Sequence, residues 1–138
     1  MDITCFDDLL VAARGQPDPQ RLLFVFVDSA LPADASAAQK AAHARGEGGE
    51  LTPVLCVDKT PAELSDFAAL AAESAHTGKG WRLVFVAAMA DAGVPGTAEG
   101  RRRVDEALQR MVQMVKYGTI SSLLAFDHAG DPVTFSPV

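Results

Sequence analysis

The sequence predicts a single α/β (or α+β) domain, with a mixed sheet of about five strands, about four flanking helices and a C-terminal β-hairpin. Two apolar runs at residues 22–27 and 54–57, and the apolar middle of residues 81–88, are typical of strands covered on both faces. The segments that follow the second and third of these stretches carry apolar residues at helical spacing. Since no repeat or long linker divides the chain, residues 1–138 are predicted to form one domain.

The first helix is predicted over residues 4–14. Thr4 with Asp7 three positions later is a start signal, and Gly15 follows the last helical residue. The prolines of the next segment block continuation of the helix. The run at 22–27 is therefore predicted to be an interior strand.

The corner at residues 49–64 predicts a central strand that leads into the third helix. The apolar run 54–57 is too short and too β-branched for a buried helix. Thr60 and Glu63 have the spacing of a capping box, with Pro61 at the first helical position. Apolar residues then recur at helical spacing, at Leu64, Phe67, Ala68, Ala71 and Ala75.

Residues 29–50 leave two interpretations open. Ser36 with Gln39 is able to cap a short Ala-rich helix that ends near Arg45. The same segment is rich in alanine and glycine and is equally compatible with a mobile loop.

The fourth helix and the hairpin complete the fold. Thr97 is a candidate cap, and the clearest helical periodicity follows it, at Val104, Leu108, Met111, Val112 and Val115. Residues 120–135 then alternate around the turn sequence DHAGD and predict a hairpin, with Val133 and Phe135 on the returning strand.

Composition excludes several classes of partner. The formal net charge of -6 and the pI near 4.9 disfavour binding of nucleic acid or of an anionic membrane. No apolar run approaches the roughly 18–20 residues that span a bilayer. The acidic N-terminus lacks the features of a signal peptide, so a cytoplasmic location is expected. Cys5 and Cys56 have no metal or redox spacing, are expected to be reduced and at least half buried, and imply no cofactor.

A ligand site is predicted on the condition that the first three strands are parallel. Asp28, Asp58 and Asp91 then follow strands at the same end of the sheet, where open α/β proteins bind ligands. Ser29 and Lys59 join this rim, and Lys59 before a helix start suits an anion. Aspartates are also ordinary turn and cap residues, and one antiparallel pairing scatters the three.

A run of three cations, Arg101, Arg102 and Arg103, near a helix start opposes the helix dipole. One interpretation is a surface that binds an acidic protein partner. The other is a solvated helix face whose charges are balanced by Glu99, Asp105 and Glu106.

Two resemblances rest on longer stretches. The first resemblance is carried by three stretches, FDDLLVAARGQPDPQRLLFVFVDS, GEGGELTPVLCVDKTPAELSDFAALAAES and GTISSLLAFDHAGDPVTF. Through them nearly the whole chain resembles short bacterial proteins labelled "ribonucleotide reductase subunit alpha". The order of strand, long loop, PVLCVDK strand, helix, strand, helix and hairpin is similar to the N-terminal domain of SseB-like proteins. The second similarity implies no catalytic residues, and it implies that the first two strands can be antiparallel.

Two hypotheses for function follow. The first is a non-enzymatic binding or accessory protein that self-associates or binds a protein partner. The second is a small anionic-ligand site, with or without catalysis, at the rim around Asp58 and Lys59.

Overall fold

The structure is a computed structural model that describes residues 4–17, 19–30, 34–44, 50–90, 97–117, 119–120 and 123–133. Four helices and four strands follow one another in it, in the order α1 (Phe6–Arg14), β1 (Gln20–Ala30), α2 (Ala37–Ala44), β2 (Glu50–Lys59), α3 (Phe67–Ala75), β3 (Leu83–Ala90), α4 (Ala98–Lys116) and β4 (Leu124–Phe126). A 3₁₀ turn, Pro61–Glu63, lies between β2 and α3. No helix in these ranges is long and apolar enough to cross a membrane.

The four strands form one open sheet in the order β2-β1-β3-β4, and every pairing is antiparallel. The predicted combination of one sheet with about four helices is confirmed. The prediction of a mixed sheet of about five strands differs from the structure, because the described residues form a sheet of four strands that are all antiparallel. The prediction of a central strand at 54–57 is wrong, because β2 forms an edge of the sheet.

Helices cover both faces of the sheet. On β1, Leu22, Phe24 and Phe26 face α1 and α3, while Leu23, Val25 and Val27 face α4. All six side chains are almost fully buried. The unalternating run therefore belongs to a strand covered on both faces, as the sequence predicts, and the sheet separates two apolar cores.

A cluster of aromatic rings joins α1, α3 and the hairpin. The ring of Phe6 lies 5.1 Å from that of Phe67 and 5.4 Å from that of Phe126, both in edge-to-face geometry. The amide of Phe6 donates to the carbonyl of Gly130 in the hairpin turn at 2.8 Å. The start of α1 is thus fixed to the turn after β4.

Several helix starts form as predicted. Ser36 and Gln39 cap α2 reciprocally, since each amide donates to the other side chain, at 2.7 and 3.1 Å. Thr97 accepts from the amide of Gly100 at 3.1 Å and caps α4. The helical interpretation of residues 37–44 is therefore correct.

The start of α3 differs from the prediction. Glu63 does accept from the amide of Thr60 at 2.9 Å, but the turn it closes is the short 3₁₀ element. Leu64 then returns to an extended conformation, and Asp66 caps a new helix by accepting from Ala69 at 2.9 Å. Two successive start signals thus produce a 3₁₀ turn followed by a helix.

The start of α1 also uses other partners than those predicted. Asp8, rather than Asp7, accepts from the amide and hydroxyl of Thr4, at 3.0 and 2.6 Å. Asp7 accepts from the amide of Phe67 at 2.9 Å and so ties α1 to the start of α3. Arg14 donates to backbone carbonyls of the 3₁₀ segment and strengthens the same contact.

The predicted hairpin is present in part. Asp127 accepts from the amides of Ala129 and Asp131 and shapes the turn, and Phe126 forms a single antiparallel bridge with Pro132. The amide of Val133 donates to Ala125 at 2.9 Å. Phe135, predicted on the returning strand, lies outside the described residues.

We expect Gly130→Ala to lower the free energy of unfolding by about 1–3 kcal/mol. Gly130 has φ of +83°, and a Cβ there would lie 3.1 Å from the Phe67 ring. Gly80→Ala is the matched control, because no atom lies within 4 Å of its Cβ position. Urea unfolding of both variants measures the difference, and equal stabilities would contradict the role of Gly130.

Candidate functional site

A groove of about 590 Å³ lies along the exposed edge of β2. One wall is β2, with Cys56 and Asp58, and the other is the flank of α4. The α4 flank presents Arg101, Asp105, Leu108, Gln109, Val112, Gln113 and Lys116. We call this the β2–α4 groove. Amphipathic α4 packs its apolar face on β1 and β2, which leaves this mixed flank beyond the strand edge.

An ion-pair network closes one end of the groove. Asp58 accepts from Arg21 on β1 at 2.7 Å and from Arg101 on α4 at 2.8 Å. Arg101 also donates to Asp105, one turn further along α4, at 2.7 and 3.0 Å. The Asp58 and Arg21 side chains are only 13% and 15% exposed, so this contact is shielded from water far more than an ordinary surface pair.

The network sets the charge of its members. Burial by itself raises the pKa of the Asp58 carboxyl, but the hydrogen bonds and charges of Arg101 and Arg21 outweigh it and lower that pKa. The hydrogen bonds from Arg101 to Asp58 and Asp105 raise the pKa of the guanidinium. Asp58 is therefore a fixed carboxylate that connects β1, β2 and α4.

Cys56 lies in the β2 wall of the groove beside this network. The residue is exposed at the strand edge, which corrects the expectation of a half-buried thiol. Its position nevertheless removes part of its water, and this desolvation raises the pKa of the thiol. A raised pKa keeps the thiol protonated near neutral pH and makes it a poor nucleophile.

Lys59, predicted to share a ligand site with Asp58, lies on the opposite face of β2. Successive residues of a strand point to opposite faces. Lys59 donates to Glu73 of α3 at 2.6 Å, whereas Asp58 binds Arg101 of α4. The two side chains thus have separate partners on separate sides of the sheet.

The predicted shared rim is not formed, because it requires parallel strands. Asp28 pairs with Thr52 in the register of β1 and β2, while Asp58 pairs with Leu23. These two carboxylates therefore lie at opposite ends of the sheet, and Asp28 lies 3.9 Å from Arg82. The side chain of Ser29 and the whole of Asp91 lie outside the described residues.

The three consecutive arginines differ in their surroundings. Arg101 belongs to the network, and Arg103 pairs with Glu99 at 3.3 Å. Arg102 has no ion-pair partner among the residues described, and the same holds for Arg110 and for Lys116 in the groove. The balanced-face interpretation thus describes Arg101 and Arg103, and it does not account for Arg102.

Sequence reasoning missed Arg21, Gln109 and Lys116. Arg21 is the second residue of β1 and lies two positions before Leu23, the residue that pairs with Asp58, so only the register brings the guanidinium to that carboxylate. Gln109 and Lys116 share a flank with Arg101 through helical spacing. Their position along α4 was readable from the sequence, but the strand that α4 faces was not.

Comparison with known proteins finds no matching family model, no similar curated protein and no similar solved structure. Within the described ranges, no group of three His, Cys, Asp or Glu residues has the geometry to hold a metal ion. The site is therefore interpreted from its own geometry.

We expect Asp58→Asn to lose about 1–2 kcal/mol of unfolding free energy at pH 7, because two guanidinium groups lose a charged acceptor. Since the pKa of Asp58 is lowered in the folded protein, its contribution is fully present above the ordinary pKa of an aspartate, about 4, and is lost as the pH falls through the lowered pKa. Urea unfolding at pH 7, 5, 4 and 3 measures this difference from the parent protein.

Asp105→Asn is the control for this prediction, because Asp105 is 59% exposed and its pair with Arg101 is weaker in water. Its effect is expected to be smaller than that of Asp58→Asn at pH 7. A deficit for Asp58→Asn that persisted unchanged at pH 3 would show that the charge of Asp58 is not its cause.

Proposed function

We propose that the protein is a non-enzymatic binding protein that holds an extended segment of polypeptide in the β2–α4 groove. The observation that carries the proposal is the position of β2, whose outer edge has no neighbouring strand among the described residues and runs beside the flank of α4. An incoming segment would extend the sheet next to β2 and lie under α4.

The backbone of β2 supports this function. An edge strand presents N–H and C=O groups that have no partner in the sheet, and an extended peptide satisfies them by adding as a further strand. The stretch 55–57 carries Leu55, Cys56 and Val57, without a charge or a proline that would discourage pairing.

The walls of the groove support it as well. Alternate side chains of an added strand would point towards α4. There they would meet apolar atoms of Leu108 and Val112 and the amides of Gln109 and Gln113. Most residues that line the groove are polar or charged, so a polypeptide there would find hydrogen-bonding groups along the groove and apolar contacts at Leu108 and Val112.

A small anion is less well suited to this place. Arg101 and Arg21 are already bound to Asp58, so an anion at their guanidinium groups would have to compete with that carboxylate. Lys59 is paired with Glu73 on the other face of the sheet. Lys116 is left as a single exposed cation in the groove, which is a weak site for an anion, so the proposal places a protein, rather than a small ligand, there.

Selection of peptides from a displayed random library tests the site without a known partner. We expect the selected peptides to bind the parent protein and to lose at least tenfold in affinity on Cys56→Lys, because a charged side chain would then occupy the groove. Thr52→Lys is the matched control, since Thr52 is exposed on β2 but does not line the groove.

Binding that survives Cys56→Lys would place the peptide site elsewhere. Failure to select any peptide at a concentration at which the protein is monomeric would contradict strand addition at β2. Circular dichroism and urea unfolding of both lysine variants confirm that they are folded before their affinities are compared.

A further inference from the structure

We infer that the segment held in the groove is β2 of a second copy of this chain, paired antiparallel about a twofold axis perpendicular to the sheet. This inference rests on the proposed function and names its partner. The two four-stranded sheets would then form one continuous sheet across the interface, with both α4 helices on the same face.

The regular part of β2 is the stretch available for pairing. The register with β1 shifts between Phe26 and Val27, so that Val54 is an extra residue on β2, and Pro53 beside it has no N–H to donate. A bulge and a proline both discourage strand addition at this end. Residues 55–59 remain regular and keep their outward backbone groups.

The spacing of the helices fits a second copy. Because α4 packs over β1 and β2, each α4 would lie about one strand spacing from the twofold axis. The two helix axes would therefore be about 9.5 Å apart, twice the spacing of neighbouring strands. This value falls within the range of about 8–10 Å at which helices pack. A second copy thus supplies both the added strand and the helix that closes the groove.

The charges of the groove also fit a second copy. Each copy has a net charge of -6, which opposes association over most of the surface. α4 differs from this average, because it carries five basic and three acidic residues while the rest of the chain carries seven basic and fifteen acidic ones. The groove is close to neutral, because Asp58 and Asp105 are paired with Arg21 and Arg101, and Lys116 adds one further cation.

The pairing has a defined centre. Twofold pairing of residues 55–59 is centred on Val57 or on its neighbour Cys56. In the register centred on Cys56, the two Cys56 residues are directly opposite, and in the register centred on Val57 they are one diagonal step apart, about 8 Å. Both registers bring the two thiols together on the α4 face, since Cys56 lines the groove.

Cross-linking with a short bis-maleimide tests this geometry in a Cys5→Ser background. We expect a covalent dimer to form through Cys56, although slowly, because the raised pKa of this thiol keeps most of it protonated near neutral pH. The matched control is the triple variant Cys5→Ser, Cys56→Ser, Thr52→Cys, whose only cysteine is at position 52. The proposed registers separate the two copies of position 52 by more than about 25 Å. Cross-linking of the control at the same rate would contradict the pairing.

Sedimentation equilibrium measures the association itself. We expect a dimer whose dissociation constant rises at least tenfold on Cys56→Lys and stays within about threefold on Thr52→Lys. A monomer that still binds selected peptides in the groove would overturn the inference and leave the proposed function intact. A dimer unaffected by Cys56→Lys would also overturn it, because the copies would then meet through another surface.

Discussion

The structure depends on the burial of β1 on both faces and its pairing on both edges. Residues 22–27 are almost fully buried, and β1 is paired with β2 on one side and β3 on the other, antiparallel in each case. Helices must therefore cover both faces, which places α1 and α3 on one and α4 on the other. The same pairing makes β2 an edge and aligns it with α4. The candidate site is a consequence of where β1 lies.

The predictions that were correct rest on residues that lie close together in the sequence. The side chains that cap α2 and α4 lie within three residues of their partners, so these starts are readable from spacing alone. The six-residue apolar run of β1 is readable for the same reason. The capping box at Thr60 was equally recognisable, but the length of the helix that follows depends on later residues. Leu64 turns its side chain into the core in an extended conformation, and Asp66 supplies the next start.

The position of a strand within the sheet is not a local property, and here the predictions were wrong. Residues 54–57 are as apolar as an interior strand, yet they lie at an edge because β1 pairs with β3 on its other side. Asp58 was singled out for a rim that antiparallel pairing removes. It is instead placed in the groove by its register with Leu23, which brings Arg21 within reach, and by the packing of α4, which brings Arg101. Three consecutive arginines give no indication of which one faces a strand.

The ion-pair network has a further consequence for the groove. A carboxylate that accepts from two guanidinium groups, with a second carboxylate on one of them, has its charge compensated within the protein. Such a network holds α4 against β1 and β2 and carries little net charge into the groove. Specificity must then come from strand pairing and from the shape of the α4 flank rather than from attraction between opposite charges. Among the described residues that line the groove, Lys116 alone is a cation without an ion-pair partner, whereas a site that selects its partner by charge would carry several. A nearly neutral groove beside an apolar edge strand is therefore well suited to a copy of itself.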